Sequence, residues 1–292
     1  MKINSAPLRC LCEATHFRHI WTYDAPPEGE IRFQYSATEK YQREVLRCDL
    51  CGHFVSVHEM DESALYGGDY VNSNYGDDGI RRAFERIIGL DPTKSDNTGR
   101  VQRILSFADK HFSQDFFGDN VPSILDVGSG LCVFLHRMKE AGWDCTALDP
   151  DPRTAEHARE RVGVRAVHGD FMKMPDLGRF DVVTFNKVLE HVADPVAMLA
   201  KSAEHLRAGG FIYIELPDGE AAMADGPGRE EFFIDHLHVF SSASLTLLAV
   251  RAGFSVKVIE RLREPSSKYT LRAFIIPAQP VAVENRNMEK NT

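Results

Sequence analysis

The chain has 292 residues, with 34 Lys and Arg against 43 Asp and Glu, a formal net charge of −9. Its 43% hydrophobic and 26% charged residues are those of a globular protein, which excludes disorder along the whole length. The acidic balance argues against a general nucleic-acid binder, which carries a basic stripe. Residues 1–10 lack the apolar core of an export signal, and the longest late apolar run, 245–250, is far short of the roughly 20 residues that cross a bilayer. The expectation is a cytoplasmic protein with neither nucleic-acid nor membrane partners.

Residues 1–60 are rich in cysteine, aromatic and β-forming residues. A turn at Pro26-Pro27-Glu28-Gly29 separates two strand-like runs, and residues 31–35 alternate apolar and polar as a half-buried strand does. Cys48-Asp49-Leu50-Cys51-Gly52-His53 has the form of a zinc knuckle, with two thiolates spaced for one ion and a glycine for the turn. Cys10 and Cys12 are the candidates for the other half, at the tighter Cys-x-Cys spacing, with His16 or His53 as substitute ligands. Without an export signal, four such cysteines favour metal over disulfides. The alternative is a metal-free module.

Residues 61–119 read as a helical linker. Helical spacing marks 79–88, stopped by Asp91-Pro92, and a second helix after Asn97-Thr98 carries Val101, Ile104, Leu105, Phe107 and Ala108 on one face. Lys94-Ser95-Asp96-Asn97 reads as a helix cap. Tyr66, Tyr70 and Tyr75 lie in a Gly-rich stretch suited either to closing over a site or to interdomain packing.

From residue 123 strands and helices alternate. Strands are expected at 124–127, 145–149, 164–168, 180–185, 211–216, 255–261 and 269–276. Helices are expected at 133–141, 154–162, 195–206 (stopped by Gly209-Gly210) and 245–252. This alternation implies an α/β fold with a doubly wound, mainly parallel, seven-stranded sheet over 120–278, following the small cysteine-containing β module. The last two strands lack a helix between them and should pair antiparallel at one edge. Residues 279–292 form a polar tail.

In such a sheet ligands bind at the carboxyl ends of the strands. The first strand exits through Asp126-Val127-Gly128-Ser129-Gly130-Leu131-Cys132, whose glycines permit a tight turn and close approach to a ligand. A dinucleotide fingerprint needs a further glycine at position 133, which is Val133, and Asp126 would face a negative pyrophosphate. A ligand with a cationic amino-acid end suits Asp126 better.

Asp126-Val127-Gly128-Ser129-Gly130 resembles the first motif of class I S-adenosylmethionine-dependent methyltransferases. The resemblance runs from about residue 123 to 276 and rests on four motifs in order. It implies that Asp149 holds the ribose hydroxyls, with Asp151 the alternative. It further implies that Asp170 and Phe171 bracket adenine, and that Asn186 and the loop to Glu190-His191-Val192 lie beside the methyl group. Cys132 departs from the pattern, since many members have glycine there.

Asp235-His236-Leu237-His238 is similar to a segment that sugar-modifying members use as an acid–His pair. Asp235 and His236, and second His191, are therefore the candidates to take a proton from the acceptor. Packing of these side chains beneath the neighbouring helix is the alternative. The function implied is methyl transfer to a small polar metabolite, a sugar or sugar-nucleotide among the candidates. A non-catalytic scaffold of the same fold and a nicotinamide-dependent oxidoreductase are the competing readings.

Overall fold

The structure, a computed structural model, describes residues 9–30, 40–60, 79–113 and 116–278. The strand expected at 31–35, the tyrosine-rich stretch and the polar tail lie outside the described residues. Among the described residues no helix is long and apolar enough to cross a membrane.

Two sheets organise the chain. The first begins with β1 (Phe17–Tyr23), β2 (Arg43–Cys48) and β3 (Phe54–Val57), paired antiparallel in that order. Two helices follow, α1 (Gly79–Ile88) and α2 (Asp96–His111). Ser95 caps α2 by accepting from the Thr98 N–H at 3.3 Å, so the helix starts at Asp96, before the Asn97-Thr98 point expected. The face of α2 bearing Val101, Ile104 and Ala108 is buried, and full burial of Ile104 alone is worth about 1.5–3 kcal/mol.

The second sheet is built from β4 (Ser123–Val127), α3 (Val133–Glu140), β5 (Asp144–Asp149), α4 (Pro152–His157), β6 (Arg165–His168), β7 (Phe180–Asn186), α5 (Pro195–Lys201) and β8 (Leu206–Pro217). A two-residue strand, β9 (His238–Val239), then α6 (Ser242–Arg251), β10 (Phe254–Arg263) and β11 (Tyr269–Pro277) follow. The strand order is β10-β11-β8-β7-β4-β5-β6. The five strands from β4 to β8 are mutually parallel, while β11 inserts antiparallel between β8 and β10, as two strands without a crossover helix must. Every residue of β4 is buried, which suits a central strand covered on both faces.

One expectation needs correction. Gly209-Gly210 does not stop a helix, because α5 ends at Lys201 and, after one tight turn over 202–205, β8 begins at Leu206. The glycines lie inside the strand's entry, where Gly209 has φ +80° and a Cβ on Gly210 would stand 2.5 Å from the Asp181 carbonyl oxygen. They permit a bulge against β7. The last strand of the N-terminal sheet is β9, paired with β3 through Val55–His238 and Phe54–Val239. The cysteine module is thus completed by a strand from the far end of the chain.

A buried ion network clamps α2 to the large sheet. Arg100 grips Glu215 of β8 with Nε and Nη2 at 2.8 and 2.5 Å, and the Tyr213 hydroxyl donates to the same carboxylate at 2.9 Å. Arg272 stands 3.5 Å from Glu215 and donates to Glu264 at 2.7 Å. Burial alone would raise the Glu215 pKa, but Arg100, with Lys187 and Arg272, outweighs it and holds the carboxyl well below the usual range. Its stabilisation is therefore complete above the ordinary value of about 4.3 and fades only as pH falls toward that depressed folded value. Glu215→Gln should cost about 3–5 kcal/mol at neutral pH by leaving Arg100 buried without its anion. Urea unfolding would read it, and a loss below about 1 kcal/mol would mean that the pair is screened.

Candidate active site

The loop leaving β4 is fastened by its backbone. Gly128 and Ser129 N–H both donate to the Leu148 carbonyl of β5, at 2.8 and 3.1 Å. Gly128 has φ +70°, and a Cβ there would meet Val188 Cγ2 at 2.7 Å, so only glycine lets the loop after β7 come this close. Around Gly130, φ +48°, nothing stands within 4 Å of a would-be Cβ, so that side of the loop is open. Cys132 sits in the left-handed region at φ +59° and is fully buried at the start of α3.

Asp126 is buried and accepts from Thr184 Oγ1 at 2.6 Å and Asn186 Nδ2 at 2.8 Å. Burial raises its pKa to about 6 against the opposing pull of those two donors. Asp149 ends β5. Its Oδ2 takes the Gly130 N–H at 2.8 Å and its Oδ1 takes the Asp151 N–H at 2.9 Å, and burial raises its pKa as well. Asp151 is committed to the start of α4, capping the Arg153 N–H at 2.8 Å and pairing with the Arg153 guanidinium at 2.7 Å. Among the described residues Ser129 Oγ and Asn186 Oδ1 are buried with no hydrogen-bond partner. Two orphaned polar atoms flanking a glycine loop are what a bound polar ligand would satisfy.

Asp126, Gly128, Ser129, Gly130, Asp149 and Asn186 therefore come together. Asp170 lies nearby after β6, half exposed, accepting from the Met172 N–H at 2.9 Å and pairing with Lys173 at 3.0 Å. Phe171 does not line the crevice as an aromatic wall. It is buried in the core, edge-on to Phe185 at 5.9 Å and near His205, because the tight turn after Asp170 points it inward. The exposed neighbour is Met172, which lines a groove of about 300 Å³ with Val192, Met198 and Leu237.

The loop after β7 leads from this crevice to a second cluster. Asn186 touches Asp126, Val188 abuts Gly128, and Glu190 and His191 meet His236, whose ring is 4.9 Å from that of His191. Glu190, His191 and His236 offer one carboxylate oxygen and two ring nitrogens within 4.8 Å of one another, a set able to share protons or hold a divalent ion. His236 Nδ1 donates to the Glu231 carbonyl at 2.8 Å, which leaves Nε2 as the acceptor of the neutral ring. Burial lowers the His236 pKa to about 4, partly countered by Asp235, so the ring is neutral and able to take a proton. His191 Nδ1 donates to the Asp235 carbonyl at 2.6 Å, and the Asp235 carboxylate stands 3.8 Å from it.

The sequence marks Glu190 only together with His191, as a pair in the loop after β7. Both of its oxygens are buried and take no hydrogen bond among the described residues. Nothing in an exposed-looking Glu-His pair signals that, because the burial is supplied by Asp235-His236 from a distant segment.

The four cysteines also converge. Cys10 and Cys51 sulfurs are 3.4 Å apart, Cys12 and Cys48 sulfurs 3.5 Å, and all four lie within 4.8 Å of one another. A tetrahedral zinc with bonds of about 2.3 Å sets its sulfurs about 3.8 Å apart, so the set fits with a small expansion. Burial raises Cys10, and raises Cys51 to about 11. At Cys48 burial is outweighed by the Cys51 and Leu50 N–H groups, and the thiol falls to about 7. No histidine is needed, since His53 is turned toward Ser244 and His238.

Burial raises the Glu190 pKa to about 7, with His191 and Lys187 opposing and Asp235 adding to it. The folded protein then keeps a proton that the unfolded chain releases near pH 4.3, so stability should fall as pH rises from about 4.3 to 7. Relative to Glu190→Gln, which cannot ionise, the wild type should lose stability across that window in urea titrations. Parallel curves would mean an ordinary, solvated carboxylate.

Residues 82–257, more than half the chain, match the methyltransferase-domain family. A ubiquinone biosynthesis O-methyltransferase of Bordetella avium is 31% identical over 97 residues, 31% of this chain and 40% of that one. An uncharacterized 37.1 kDa protein of a Streptomyces fradiae transposon is 29% identical over 47% of this chain and 44% of its own. The chain thus spans less than half the length of these curated relatives. The Burkholderia thailandensis 1,6-didemethyltoxoflavin-N1-methyltransferase, solved with its acceptor and S-adenosylhomocysteine, shares the fold at a TM-score of 0.54 with 21% identity, over 87% of this chain and all of that one. Magnesium protoporphyrin IX methyltransferase of Synechocystis PCC 6803 does so at 0.52 with 15% identity, over 75% of this chain and all of that one. By sequence and by the order of its sheet, the chain belongs to the class I S-adenosylmethionine-dependent methyltransferase family.

Proposed function

We propose that the protein transfers a methyl group from S-adenosylmethionine to a small polar metabolite, a sugar or sugar-nucleotide being the first acceptor class to test. The observation that carries this reading is the glycine loop at the end of β4, flanked by the orphaned Ser129 Oγ and Asn186 Oδ1 and closed by Asp149. The ubiquinone-biosynthesis name of its relatives supports a small-molecule acceptor.

The cofactor supplies an activated methyl carbon on a cationic sulfur. Asp126, fixed by Thr184 and Asn186, presents negative charge to the cofactor's amino end. Asp149, held by the Gly130 N–H, would take the ribose hydroxyls on its remaining lone pairs, and Asp170 would receive the adenine amine. His236, neutral and with Nε2 accepting, takes the acceptor's proton, Asp235 stabilises the resulting imidazolium, and His191 lies on the same cluster. In-line displacement needs alignment at about 3 Å in a dry site more than it needs covalent help. The Cys10, Cys12, Cys48 and Cys51 cluster holds a structural zinc, closed and non-catalytic.

Calorimetry with S-adenosylhomocysteine tests the cofactor reading. Asp149→Ala should weaken binding by about 1–3 kcal/mol, the cost of unmet polar partners. His236→Ala should leave that affinity intact while abolishing the labelled-methyl product that mass spectrometry finds in a cell extract. Unchanged affinity in Asp149→Ala, or full turnover in His236→Ala, would remove those roles. Metal analysis should find one zinc per chain, lost with the cluster's fold when Cys48 and Cys51 are replaced by serine, and a metal-free folded protein would end that assignment.

A further inference from the structure

The segment carrying Asp235 and His236 belongs to no long element, yet its backbone is held at several points by the N-terminal sheet. We infer that the buried Glu30–Arg43 pair is a positioning element for this segment, so that the cysteine-bearing sheet forms part of the machinery that aims His236. The inference rests on the proposed role of His236.

Both side chains of the pair are fully buried, with Arg43 Nη2 at 3.0 Å from Glu30 Oε2. Each of the two also bonds the backbone of the far segment. Arg43 Nη1 donates to the Phe232 carbonyl at 2.6 Å, and the Ile234 N–H donates to Glu30 Oε2 at 2.8 Å. Tyr41 donates to Glu30 Oε1 at 2.6 Å and accepts from Arg43 Nε at 3.1 Å, which locks the rotamers of both. The Arg43 guanidinium also lies 4.1 Å from the centre of the Tyr23 ring. Downstream of His236, the Ser56 N–H donates to the Leu237 carbonyl at 3.0 Å, and β3 pairs with β9. His236 is therefore bracketed by two clamped points, the Ile234 N–H and the Leu237 carbonyl.

Adhesion alone does not call for such an arrangement. Trp21 and Phe54 already pack edge-on against Phe232, at 4.7 and 5.4 Å, and apolar contact of this kind would hold the segment down. A buried ion pair adds little net stability over apolar residues of the same volume. What it supplies here is direction, since a carboxylate and a guanidinium fix one N–H and one carbonyl two residues apart in a stretch without a sheet partner of its own. A second link ends at the other face of the site. His53 Nε2 lies 3.1 Å from His238 Nδ1, and the His238 ring in turn feels the backbone at Ala193 and Val192, directly after His191.

The test reads His236 itself. Histidine ring carbons are labelled and titrated by NMR in the full-length protein, with S-adenosylhomocysteine calorimetry alongside. The His236 midpoint, about 4 in the wild type, feels Asp235, His191, Lys187 and the Glu231 carbonyl. In Glu30→Gln and Arg43→Met the segment loosens, water reaches the ring, and the midpoint should rise by about one pH unit or more toward the ordinary value near 6.5. Affinity for S-adenosylhomocysteine should stay within about twofold. Arg43→Lys, which keeps the charge, should restore part of the shift. A role in stability alone would lower the unfolding midpoint and leave the His236 titration of the folded protein where it was, and that result overturns the inference. Should the variants fail to fold, hydrogen exchange in the unmodified protein decides. The Ile234 amide should be as protected as that of Ser56, and loop-like exchange overturns the inference equally. Failure of the wild type to bind S-adenosylhomocysteine would sink the methyltransferase reading and leave the titration comparison standing.

Discussion

The site depends on how the chain leaves β4. Two consecutive N–H groups, of Gly128 and Ser129, close on a single carbonyl of the neighbouring strand, and the next glycine gives its N–H to Asp149. Three backbone donors spent this way fold the turn flat against β5 and keep its outer side open. They also fix the distance between the two carboxylates that frame the crevice, one on each of two adjacent parallel strands. With any side chain at Gly128, the loop after β7 would be pushed away by Val188, and the cofactor crevice would lose contact with the acid–base cluster.

That second loop is the physical bridge of the molecule. Within six residues it offers Asn186 to Asp126, Val188 to Gly128, and Glu190 and His191 to His236. Lys187 takes the left-handed conformation at φ +60° and gives its N–H to the Glu215 carbonyl, which turns the chain between the two tasks. The Arg100–Glu215 clamp anchors the strand against which this turn rests. Charge pairs and tight backbone turns thus do the positioning here, while the apolar core supplies the bulk of the folding free energy.

Much of this was legible in the sequence, for reasons that can be named. Parallel strands buried on both faces read as continuous apolar runs, so β4, β5, β7 and β8 were found within a residue or two, apart from the early start of β8. The glycine loop was legible because positive φ has few other solutions. The inward turn of Phe171 was not, since a one-residue difference in a tight turn decides whether a ring faces solvent or core. The orphaned carboxylate of Glu190 and the Glu30–Arg43 contact with residues 232 and 234 were equally hidden. Both arise where segments remote in sequence meet, and no local pattern encodes such a meeting. Gly209-Gly210 misled for a different reason, because a glycine pair serves a bulge as readily as a helix stop.

The borrowing of β9 by the N-terminal sheet bears on how this protein is made. During synthesis β1, β2 and β3 emerge first, but β3 keeps one row of backbone groups unmet until His238 and Val239 arrive, after the parallel strands β4 to β8 have all been made. An exposed strand edge is a template for pairing with other chains. The nascent polypeptide therefore carries an adhesive margin until His238 and Val239 have been made, and chaperone capture or delayed closure of the cysteine knuckle would shield it over that interval.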